Sequence, residues 1–95
     1  MYARVTTLQI DPARLGEIPA KLNQLGPASE SLPGIVDVYV AWRADGQGTV
    51  TAIFNSKAEA DAALPKIQAI WGELGGLLKG PPKVEAYDSV VHLVG

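Results

Sequence analysis

The chain has 95 residues, 47% of them hydrophobic and 19% charged, with a formal net charge of −2 and a pI near 5.2. This describes one folded domain spanning residues 1–95 and gives no electrostatic reason to expect nucleic acid or an anionic membrane as partner. There is no cysteine, which excludes disulfides, thiolate metal sites and cysteine nucleophiles and fits a reducing compartment.

Residues 2–10, rich in Val, Thr and Ile, predict a first strand. Asp11-Pro12 then suits a helix start, with Asp11 as N-cap and Pro12 in the first turn. Leu15, Ile18, Leu22 and Leu25 recur at helical spacing. Pro19 falls inside that stripe and is expected to kink it, while Gly26-Pro27 marks a break or second kink before the helix resumes. Leu32-Pro33-Gly34 ends it.

Residues 35–55 read as a hairpin around Asp45-Gly46. Pairing Arg43 with Gly48 sets Trp42 against Thr49, Ala41 against Val50, Tyr39 against Ala52 and Asp37 against Phe54. One face then carries Val36, Val38, Val40, Thr51 and Ile53, suited to helices. The other carries Asp37, Tyr39, Ala41, Val50, Ala52 and Phe54, too apolar to be left in water. A second layer is expected there, most simply another copy of the chain.

Ser56-Lys57-Ala58-Glu59 forms a capping box. The stripe Ala60, Leu64, Ile67, Trp71, Leu74 and Leu78 follows, with a bend expected at Pro65 and a stop at Gly80-Pro81-Pro82. Residues 83–93 predict the last strand. The order is βαββαβ, for which the natural solution is an α+β, ferredoxin-like fold: a four-stranded antiparallel sheet with both helices on one face.

Several segments resemble the dimeric α/β-barrel superfamily, and within it the antibiotic biosynthesis monooxygenase-like branch. They are Leu8-Gln9-Ile10-Asp11-Pro12, Leu32-Pro33-Gly34, and the junction from Ile53-Phe54-Asn55 into Ser56-Lys57-Ala58-Glu59-Ala60. The resemblance implies a homodimer with two sheets packed face to face, and a cavity between sheet and helices or against the partner sheet. Cofactor-free monooxygenases of this type place a Trp at the end of strand 3 and a polar residue four positions earlier; here those positions hold Phe54 and Val50. Haem-degrading members use an Asn on strand 1 and a His on the second helix. Here Thr6 stands on the strand, and no histidine lies between Ser56 and Leu78.

The residues themselves offer a ligand cavity drawn from Arg4, Thr6, Asp37, Tyr39, Val50, Phe54 and His92. Arg4, Thr6, Asp37 and Tyr39 would set a cation, a carboxylate and a phenol around an apolar floor. The plainer alternative is an Arg4–Asp37 pair at an edge, with Tyr39 filling an interface. His92 is the only histidine; it could act as a lone acid or base, or simply end a strand. Trp71 reads as core, and so does Trp42, for which the alternatives are capping the sheet end or stacking a ligand. The carboxylates Glu59, Asp61 and Glu73 have no histidine beside them and do not make a metal signature. Gly46-x-Gly48 and Gly72-x-x-Gly75-Gly76 lack the context of a phosphate loop.

Neither metal nor cofactor is implied. The first residues lack the layout of a secretory signal and no apolar run has bilayer length, so the expected location is the cytoplasm, without membrane or nucleic-acid partners. Two functions follow. One is a homodimeric barrel that binds a small apolar or aromatic molecule, in its catalytic form a cofactor-independent monooxygenase-like enzyme. The other is a non-catalytic barrel whose second face serves assembly, as in stress-responsive relatives. A cavity that is open and polar-lined favours the first; one filled with side chains favours the second.

Overall fold

A computed structural model describes residues 1–94. Four strands, β1 (Tyr2–Gln9), β2 (Ile35–Trp42), β3 (Gln47–Phe54) and β4 (Lys83–Tyr87), form one antiparallel sheet in the order β2-β3-β1-β4. Three α-helices, α1 (Ile18–Glu30), α2 (Lys57–Ala62) and α3 (Leu64–Leu74), provide the helical layer on one face of the sheet. This is the ferredoxin-like α+β arrangement that the element order predicts.

Pro12, Pro19 and Pro65 begin helices rather than bend them. Asp11 accepts a hydrogen bond from the Ala13 amide at 3.0 Å and opens a 3-10 turn, Pro12–Glu17. Pro19 then falls in the first turn of α1, where a missing N–H costs nothing. In the same way Pro65 lies in the first turn of α3, and the expected single bent helix is two helices joined at Ala63. Pro27 is the one proline inside a helix. Ser56 caps α2, accepting from the Glu59 amide at 3.2 Å, while its hydroxyl also meets the Glu59 carboxylate at 3.2 Å.

The hairpin register differs from the one the sequence suggests by one residue. The Arg43 amide donates to the Gln47 carbonyl at 2.9 Å and the Gly46 amide to the Arg43 carbonyl at 2.9 Å, with Gly46 at φ +89°. That is a three-residue loop with glycine in the left-handed position, one residue shorter than the loop assumed from sequence. Trp42 therefore pairs with Gly48, Ala41 with Thr49, Val40 with Val50, Tyr39 with Thr51, Val38 with Ala52 and Asp37 with Ile53. Because side chains alternate with period two, a slip of one exchanges the faces of β3. Val50, Ala52 and Phe54 look toward the helices, and Thr51 and Ile53 look away. A bulge lies between Ile35 and Asp37. Val36 is its extra residue, which lets Ile35 join Val38 and Val40 on the helix side.

The last strand is shorter than expected. It ends at Tyr87, and residues 88–94 continue without regular structure.

The core divides into two clusters. At one end Leu8, Ile10, Ile18, Leu25, Leu74 and Leu77 pack together. At the other, Tyr2, Leu32, Phe54, Ala60 and Ala63 do so, with Phe54 at 0% exposure. What lies between them is not filled.

Candidate functional site

Three rows of side chains, read across the sheet on its helix side, make the floor of the site. From β2 to β4 the first is Val38, Ala52, Arg4, Ala86, and the second is Val40, Val50, Thr6, Val84. The third, shorter row is Trp42, Gly48, Leu8. Alanine flanks Arg4 on both neighbouring strands, and glycine stands beside Leu8. These short residues leave the floor low in the middle, while the roof is set by the packed clusters at either end. The result is a cavity of about 240 Å³, walled by Leu22, Leu25 and Ser29 of α1 and by Ile67, Ile70, Trp71 and Leu74 of α3. Val38 lines it and is 36% exposed, so the cavity meets solvent at the β2 rim.

The lining is apolar apart from Arg4, Thr6 and Ser29. The Ser29 hydroxyl is occupied, donating to the Leu25 carbonyl at 2.9 Å. Thr6 is 4% exposed. Arg4 makes no ion pair and no side-chain hydrogen bond among the described residues. No Asp, Glu, His or Tyr contributes to the walls, and no group of three potential metal ligands exists among the described residues.

The structure thus separates the candidates. Arg4, Thr6 and Val50 come together at the cavity. Phe54 shares their face but is sealed in the neighbouring core cluster. Asp37 and Tyr39 are on the opposite face, in rows with Ala3 and Val5, so no Arg4–Asp37 pair forms. The phase of β2 against β1 dictates this. His92 is exposed in the stretch beyond β4. Trp71, which its stripe suggests is plain core, contributes to the cavity wall instead. Its helical spacing could not distinguish a filled core from a lined cavity; only the small residues opposite it, once in register, do so.

The other face of the sheet is uncovered. Tyr39 is 66% exposed there, and Ile53, Val5 and Tyr87 occupy the same side. The Tyr87 hydroxyl donates to the Glu85 carboxylate at 2.8 Å, which raises its pKa above the ordinary tyrosine value.

Fold and site together define a class: a ferredoxin-like α+β domain with a small apolar cavity between sheet and helices. Several solved structures share this fold. A protein of unknown function from Nitrosomonas europaea superposes with a TM-score of 0.80 at 18% identity, covering 99% of this chain and 93% of that one. A Caulobacter crescentus protein, provisionally named an antibiotic biosynthesis monooxygenase, gives 0.78 at 20% identity over 95% of this chain and 90% of its own. The ActVA-Orf6 monooxygenase of Streptomyces coelicolor, solved with the ligand nanaomycin D, gives 0.76 at 19% identity over 99% and 91%. The fold is the one found in antibiotic biosynthesis monooxygenase-like proteins. No protein-family model matches the sequence, and no curated protein matches it. Among the described residues no helix is long and apolar enough to cross a membrane.

Proposed function

We propose that this protein binds a small, mostly apolar molecule in the cavity between its sheet and helices. The observation that carries the reading is the cavity of about 240 Å³, apolar except for Arg4, Thr6 and Ser29, held open between two well-packed clusters. An apolar pocket with a few placed polar groups is the ordinary form of a small-molecule site. The volume lies below the usual range for drug-sized ligands, so the occupant is compact. A solved neighbour that holds an organic ligand supports the same reading.

The catalytic form of this proposal is a cofactor-independent monooxygenase-like reaction, supported by the names of the structural neighbours. Here the walls supply no group that titrates near neutral pH. The chain's own contribution to such a reaction is to exclude water, orient the substrate and place the Arg4 cation beside it. Tyr39 and His92 have no part in it.

A second layer over the open face belongs to the same proposal. The exposed Tyr39, together with Ile53 and Val5 beside it, favours a homodimer that joins sheet to sheet. A non-catalytic assembly role would use that face and leave the cavity idle.

Naphthoquinone and 2-naphthol, tested by thermal shift, separate these functions. Both should raise the melting temperature of the wild type. Ala52→Leu, which fills the cavity floor, should remove the effect while still folding. Failure of both compounds to stabilise the wild type contradicts cavity binding.

A further inference from the structure

Among the described residues Arg4 is the only charged side chain lining the cavity. It emerges from β1, one of the two inner strands, between Ala52 and Ala86, the shortest residues in its row. No carboxylate answers it among the described residues: the acidic partners of the ion pairs are Glu17, Glu73, Asp45 and Asp61, each bound elsewhere. A guanidinium directed into an apolar site without an anion is unusual, because partial burial weakens its hydration and nothing in the protein restores it. The structure around it leaves room for the missing partner to arrive with the ligand.

Resting on the cavity reading above, we propose that the site selects compact apolar molecules carrying one carboxylate, which Arg4 holds. The planar guanidinium matches a carboxylate with two parallel hydrogen bonds, a geometry that a single phenolate oxygen cannot fill. Thr6, one row along on the same strand and face, offers a hydroxyl that can donate to the same group. A cation is repelled by Arg4 and has no acid to meet in the walls. A dianion has only one charge to pair. The remainder of the ligand lies against Val38, Val40 and Trp71, where contact is mainly apolar.

The test uses a matched pair of probes on the full chain: 2-naphthoate and its methyl ester, which keeps the ring system and loses the charge. Affinities are measured by calorimetry at pH 7 for the wild type and for Arg4→Met, with circular dichroism to verify folding. The wild type should bind 2-naphthoate at least about tenfold more tightly than the ester, as expected for a charge-assisted pair. Arg4→Met should abolish that preference and leave the ester's affinity within about threefold. If the ester binds and the wild type shows no preference for naphthoate, the carboxylate assignment falls and cavity binding stands. Preference retained in Arg4→Met also overturns it. If neither probe binds the wild type, both proposals fall. The wild-type comparison decides the matter even if the variant does not fold.

Discussion

Arg14 and Glu17 are three residues apart on the 3-10 turn that precedes α1. Two hydrogen bonds join them, at 2.8 and 2.9 Å, and Arg14 also donates to the Gly76 carbonyl. The pair thus links the start of the first helix to the end of the last. The hydrogen bond from Arg14 holds the Glu17 carboxyl below its ordinary value. A depressed carboxyl pKa contributes stability above the unfolded-state value and loses it as pH falls through the folded one. The pair lies at the surface, in contact with solvent, so its contribution is small. Glu17→Gln should accordingly show a slightly lower urea midpoint at neutral pH, a gap that closes on acidification. A gap independent of pH would mean that the charge is not responsible. Among the cavity residues, Arg4 and Thr6 were legible in the sequence as candidates because of their chemistry. The partners assigned to them from sequence, Asp37 and Tyr39, proved to be on the other face. Residue type reveals what a group can do; its neighbours depend on strand register.

At the scale of elements, periodicity made the strands and helical stripes legible, and the capping residues Asp11 and Ser56 marked two starts. Register was not legible, for a physical reason. Val50, Ala52 and Phe54 on one side of β3 and Thr51 and Ile53 on the other are both acceptable core faces, so hydrophobic pattern alone could not choose. The turn chose. Gly46 has φ +89°, and a Cβ there would run into the Ile10 carbonyl, whose residue also donates its amide to the Gly46 carbonyl at 2.7 Å. The hairpin tip is therefore packed against the end of β1. Gly46→Ala should destabilise the protein by at least about 1–3 kcal/mol, the usual cost of forcing a side chain into that backbone region, read as a fall in urea midpoint. An unchanged midpoint would mean that the tip does not dock as described. The prolines misled for a related reason: Pro19 and Pro65 look like interruptions in a hydrophobic stripe, yet each sits in a first turn where proline fits. The stripe continued across a boundary between elements.

At the scale of the whole molecule, one sheet serves two purposes. Its helix side carries two sealed clusters with the cavity between them. Its other side leaves Tyr39 and Ile53 without a covering layer. The exposed Val91, Leu93 and Val94 beyond β4 add apolar surface that a single copy does not bury. Ile53→Asp, at the centre of the open face, should convert a dimer to monomer in sedimentation velocity without disturbing the cavity. Phe54 is unsuitable for that test, since a charge there would strike the core. A wild type that sediments as a monomer would contradict the dimer.

The proposed ligand site is on the helix side of the sheet, not on the open face. Methyl-detected NMR with 2-naphthoate and, separately, its methyl ester tests it directly, because valine and isoleucine occur on both sides of the sheet. The predicted result is a saturable shift of Val38, Val40, Val50, Ile67 and Ile70, which line the cavity, with Val5 and Ile53 on the open face unmoved. Shifts confined to Val5 and Ile53, or no saturable shift at all, would contradict it.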